Sequence, residues 1–128
     1  MKRMVVATQE APGAIGPYSQ AIRCEAKEWV FLSGQIPLDP VSMQIVGDNV
    51  SEQTEQVIRN IKSVLQSLEM DLTNVVKSTI FLKQMDDFAE VNEVYAKHFS
   101  KEAPARSTVE VSRLPKDAKV EIECIAAR

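Results

Sequence analysis

Apolar positions change their spacing several times along this 128-residue chain, and each change marks an element. Residues 3–8 (RMVVAT) read as a strand, followed by a loop punctuated by Pro12, Gly13, Gly16 and Pro17. Residues 18–26 and 29–36 read as a strand pair joined near Ala26-Lys27-Glu28. Pro37, Asp39, Pro40, Gly47 and Asp48 then mark a long surface loop. Over 51–69 the period lengthens to that of a helix: Val57, Ile58, Ile61, Val64, Leu65 and Leu68 share one stripe, with Asn49 and Glu52 set for a capping box. Residues 75–84 (VVKSTIFLKQ) return to β-branched and aromatic strand chemistry. A second helix starts at Asp87 with Glu90 at the box position, and Phe88, Val91, Tyr95 and Phe99 lie along its inner side.

Pro104 closes that segment, and residues 103–124 read as a hairpin of two alternating strands around the turn Leu114-Pro115-Lys116-Asp117-Ala118. Val109 and Val111 alternate with polar neighbours on its first strand, as do Val120, Ile122 and Cys124 on its second. That pattern puts Arg106, Thr108, Glu110, Glu121 and Glu123 together on the opposite face. In such a hairpin Glu121 lies opposite a residue near 110–112, which leaves Arg106 roughly 13 Å away along the strand. No direct Arg106–Glu121 ion pair is expected within one chain; neighbouring chains are one way to bring such groups together. The order β-β-β-α-β-α-β-β predicts an α+β fold, a mixed sheet with both helices on one face. The other face must meet water or another chain.

Composition narrows the classes. With 45% hydrophobic and 26% charged residues, the chain has the make-up of a single globular domain over 1–128. A net charge of −3 and a pI near 5.2 give no basic patch, so neither nucleic acid nor an anionic membrane is an expected partner. The apolar start is too short for a signal-peptide core and no stretch suits a membrane span, so a cytoplasmic location is expected. Cys24 and Cys124 lack CxxC spacing and are expected as reduced thiols, and the lone His98 has no familiar ligand spacing to them. The expectation is a protein without metal or other cofactor.

Several residues admit two readings. Arg106 is either a surface arginine or a planar fork that grips a carboxylate bidentately. Glu121 is either a solvated strand residue or a base that positions water. Ser33-Gly34 either marks a bulge or lets a ligand approach the backbone beside a hydroxyl. Tyr18 either packs or offers its phenol to a small polar ligand. Asn92, one residue off the inner stripe of the second helix, either bonds a nearby loop or serves a site.

Taken together these segments match a known pattern. PARSTVEVSRLPKDAKVEIE (104–123) closely resembles the C-terminal signature of the RidA (YjgF) family of reactive-intermediate deaminases. GAIGPYSQA (13–21), FLSGQIPLDP (31–40) and FAEVNEVYAKHF (88–99) resemble that family's N-terminal loop, strand with turn, and second helix. The resemblance covers nearly the whole chain in the right order. It implies a chorismate-mutase-like fold and a homotrimer with clefts between subunits, in which three sheets cover the bare face. It also implies hydrolysis of enamines and imines, such as 2-aminoacrylate, 2-iminopropanoate and 2-iminobutanoate, to 2-oxo acids and ammonia. In family members these come from pyridoxal-phosphate enzymes such as threonine dehydratase.

By the same resemblance Arg106 clamps the substrate carboxylate and Glu121 orients and deprotonates the attacking water. Tyr18, Ser33, the Gly34 backbone, Asn92 and Thr108 line the pocket. Thr108 stands where many bacterial relatives carry cysteine, which weakens any thiol-based role but leaves a hydroxyl for the ligand. Two other readings compete: a module that binds small carboxylates without turnover, and an endoribonuclease, against which the acidic pI argues.

Overall fold

The computed structural model describes residues 2–128, and its elements follow the order β-β-β-α-β-α-β-β. They are β1 (Lys2–Val6), β2 (Ala21–Glu25), β3 (Trp29–Gln35), α1 (Val50–Gln66), β4 (Val75–Leu82), α2 (Phe88–His98), β5 (Ala105–Glu110) and β6 (Val120–Ala127). β1 and β2 form an antiparallel ribbon of their own, while the main sheet runs β3-β6-β4-β5. β6 is antiparallel to both β3 and β4, and β5 is parallel to β4. A mixed sheet with two helices is therefore present.

Two pairings differ from the sequence expectation. β2 pairs with β1 and not with β3, because the turn between them is tied to the C-terminus: Lys27 and Glu28 both donate backbone N–H groups to the Arg128 carbonyl. Nor do β5 and β6 form a hairpin, since β4 lies between them. The cause is α2. A strand, a helix and a returning strand form a crossover that lays β5 parallel beside β4, leaving β6 to enter on the other side. The chain between them turns through Lys116 and Asp117, both left-handed at φ 56°.

The helices behave more nearly as their patterns suggest. Val57, Ile58, Ile61 and Leu65 of α1 are fully buried, but Val64 and Leu68 are more than a third exposed and the helix stops at Gln66. There the Met70 N–H turns back to the Leu65 carbonyl (2.9 Å) after a left-handed Glu69. Asn49 caps the start, accepting from the Glu52 N–H at 2.9 Å, and its amide donates to the Glu52 carboxylate at 2.7 Å. The expected box at Asp87 does not form. The chain enters α2 through the 3-10 turn Met85–Asp87, and Glu110 accepts the Met85 N–H instead.

Both helices share one core with Ile80 and Leu82 of β4, Val120, Ile122 and Cys124 of β6, and Leu32 of β3. Among the described residues the reverse face has no helix on it. There Phe31 is 73% exposed, with Trp29 beside it and Val109 across the sheet also open. Among the described residues no helix is long and apolar enough to cross a membrane, and both cysteines are free.

Candidate functional site

β5 is an edge strand, and its faces are set by β4. Arg106 pairs with Ser78 and Thr108 with Ile80, so both side chains lie on the helix-covered face. Val109 pairs with Phe81 and lies on the bare face, 41% exposed. This inverts the face expected from alternation. A hairpin would have locked β5 to the parity of β6, but parallel pairing across a crossover imposes no such lock.

The Arg106 guanidinium occupies a notch walled by aromatic rings. Its Cζ lies 5.1 Å from the Tyr95 ring centroid, 5.3 Å from Tyr18 and 5.6 Å from Phe88, within cation–π range of each. Phe88, Asn92 and Tyr95 follow one another at i, i+4 and i+7, which places them on one side of α2. Tyr18 arrives on the N-terminal loop, fastened to the start of β5 by Ser19, which bridges Ala105 and donates to the Pro104 and Ala103 carbonyls. Gln20 pins that loop: its amide donates to the Thr8 and Pro12 carbonyls and accepts the Thr8 N–H.

Within this notch three buried polar atoms lack a partner among the described residues: Arg106 Nη1, Thr108 Oγ1 and Asn92 Oδ1. No ion pair among the described residues involves Arg106. Burial pulls its pKa below the usual arginine range, partly offset by Tyr95 and Tyr18, and it remains a cation at neutral pH. A half-buried fork with an unused donor suits a carboxylate.

The second cluster sits where β3 bulges. Pairing with β6 slips between Leu32 and Gln35, so Ser33 and Gly34 fall in the irregularity. Glu121 of β6 leans directly against Gly34. A Cβ there would overlap the Glu121 carboxylate and come within 2.8 Å of its Cδ, so any larger residue would push that carboxylate out of its present position. Glu121 pairs with Phe81 and belongs to the bare face, with Ser33 exposed nearby. Burial, and then the charge of Glu123, raise its pKa above the ordinary glutamate value.

The sequence-predicted residues thus divide. Tyr18, Asn92, Arg106 and Thr108 gather on the helix side of the β5 edge; Ser33, Gly34 and Glu121 gather on the bare face beyond β4. The expectation that Arg106 and Glu121 share a face does not hold. Sequence reasoning gave no site role to Phe88, Tyr95 or Gln20. The first two satisfy the core stripe of α2 so well that nothing marks them as walls for a cation, and Gln20 follows a Pro/Gly-rich loop without a spacing that announces its staple.

Against known proteins, a family profile described as "Endoribonuclease L-PSP" matches residues 8–128. The chain is 50% identical over 126 residues to an Arabidopsis thaliana protein named "Reactive Intermediate Deaminase A, chloroplastic", covering 98% of this chain and 66% of that one. It is 44% identical over 124 residues to a Homo sapiens protein named "2-iminobutanoate/2-iminopropanoate deaminase", covering 97% and 89%. Among solved structures it superposes on E. coli TdcF with bound serine at a TM-score of 0.74 and 41% identity, over 98% of both chains.

Proposed function

Since the chain belongs to the endoribonuclease L-PSP (YjgF/RidA) family, some of whose members are named imine deaminases, we propose that it hydrolyses short 2-imino acids and their enamine tautomers to 2-oxo acids and ammonia. The observation that carries this reading is the Arg106 notch: a half-buried guanidinium with no acidic partner among the described residues and a buried, unused Nη1. Such a group binds an anion more readily than a neutral ligand, and its planar fork fits a carboxylate.

The chemistry then follows. Arg106 holds the substrate carboxylate, with Tyr18, Thr108 and Asn92 around it. Glu121 accepts a proton as water adds to the imine carbon, giving a carbinolamine. The nitrogen takes up that proton and leaves as ammonia, while the hydroxyl proton of the carbinolamine passes to Glu121 and the C–O bond becomes a carbonyl. Imines are electrophilic enough that orientation and one base are the main contributions asked of the protein. A Glu121 pKa held above the ordinary value suits a base that must also return its proton.

Because Arg106 and Glu121 belong to opposite faces, one chain does not complete this site. We place the working unit as a cyclic homotrimer, in which the open face carrying Trp29 and Phe31 packs on a neighbour and each cleft takes Arg106 from one copy and Glu121 from the next. A coupled assay tests the activity: threonine dehydratase supplies 2-iminobutanoate, and this protein should speed 2-oxobutanoate release above the buffer rate. Release no faster than buffer would remove the proposal. The second reading, carboxylate binding without turnover, draws on the serine held by TdcF; tight 2-oxobutanoate binding with no acceleration would favour it. Cleavage of RNA is disfavoured by a net charge of −3.

A further inference from the structure

The three rings around Arg106 are not equivalent. Tyr18 comes from a loop and is half-buried, and Phe88 is half-buried at the start of its helix, whereas Tyr95 is fully buried. Tyr95 is also the nearest ring, and it stacks on Phe99 with centroids 4.2 Å apart and planes 19° from parallel. Its phenol oxygen lies 2.7 Å from Ser78 Oγ. Ser78, only 1% exposed, pairs directly with Arg106 in the β4–β5 register. One hydrogen bond therefore ties the ring beneath the guanidinium to the residue beside the arginine's own backbone.

Core packing explains a ring at position 95 but not its hydroxyl. A phenylalanine would fill the same volume without a polar atom that must be satisfied in the interior. The hydroxyl bond also answers a difficulty in the clamp. An arginine held by a carboxylate is aimed by that partner but spends its donors on it. One held by ring faces keeps its donors, yet is aimed only as firmly as the rings are fixed.

We propose that the Ser78–Tyr95 hydrogen bond is a positioning device for Arg106, locking the Tyr95 ring so that the guanidinium keeps its free N–H donors directed at a 2-oxo or 2-imino carboxylate. The proposal rests on the deaminase reading for its ligand. Ser78 and Tyr95 are positioning residues that act through Arg106. Burial keeps the phenol un-ionised far above neutral pH, so this support does not titrate in the working range.

The test uses Tyr95→Phe, Ser78→Ala and their combination, with 2-oxobutanoate affinity by calorimetry, steady-state kinetics on 2-iminobutanoate, and thermal unfolding as the control. Loss of a single aligned hydrogen bond behind the clamp should raise Kd and KM about tenfold in either variant while kcat stays within about twofold. The double variant should lose no more than either single one, because both remove the same bond. Variants that melt lower yet keep wild-type Kd and KM would overturn the positioning role, as would fully additive losses. Arg106→Ala run alongside separates the two readings. If wild type and Arg106→Ala are alike in neither binding nor turning over, the deaminase reading falls and this one with it. If wild type works, Arg106→Ala fails and both hydroxyl variants match wild type, only the positioning role falls.

Discussion

The Arg106 notch and the Glu121 bulge are built on different plans. The notch is finished inside one chain: rings from the N-terminal loop and from α2 converge on a cation whose backbone is fixed by β4. The bulge is unfinished. Its glutamate stands on an open sheet face, partly dried by contact with Gly34 and repelled by Glu123. On the proposed reading the first region selects a charge by preorganisation, which a folded monomer already has. The second would supply a proton acceptor whose surroundings depend on what covers that face. Binding and chemistry would then be separable, and each can be attacked alone.

The largest effect should come from the notch. If Arg106 clamps the carboxylate, Arg106→Ala removes a charge-assisted pair, about 3 kcal/mol or more than a hundredfold in kcat/KM, and Arg106→Lys should recover little because it lacks the fork. Steady-state kinetics on generated imines would show it, and a near-wild-type lysine variant would contradict the bidentate clamp. Next is the bulge. Gly34→Ala pushes the Glu121 carboxylate aside and, if Glu121 is the base, should lower kcat on the order of a hundredfold. Calorimetry should find 2-oxobutanoate affinity little changed, and equal losses in binding and kcat would show that the two regions are not independent.

Mixing sharpens the comparison further. Arg106→Ala and Glu121→Gln proteins, each inactive, should regain about a quarter of wild-type activity after subunit exchange in equal amounts, since one in four clefts of a random cyclic trimer receives both intact groups. No recovery despite exchange, followed by native mass spectrometry, would place both groups of each site in one chain. The smallest effect belongs to Glu123→Gln. The Glu123 charge helps to raise the Glu121 pKa, so removing it lets Glu121 ionise at lower pH. The acidic limb of the rate profile should move downward, and an upward or absent movement would deny Glu121 the role of base.

Periodicity served well where an element answers to its own sequence. The buried stripe of α1, the inner face of α2 and the Asn49 cap were all legible, because a helix carries its pattern within a few turns. The partners of β5 were not. Its alternation is real, but alternation cannot say which strand lies alongside, and here the choice was made by a helix crossover that inverted the faces of Arg106 and Val109. Gly34 was legible as a break in β3, whereas its tight fit to Glu121 depends on residues far apart in sequence. Tyr95 hid in plain view, since a core aromatic and a wall for a cation carry the same periodic signature.

The crossover also governs when the Arg106 notch comes into being. Tyr18, Phe88, Tyr95 and Arg106 are drawn from both ends of the chain, and the strand carrying the arginine can dock only after α2 has passed over the sheet. Such distant closures come late and slowly in folding. A growing polypeptide therefore has no such aromatic notch until its last third has emerged, and local fraying of the N-terminal loop can loosen the notch while the interior stays intact.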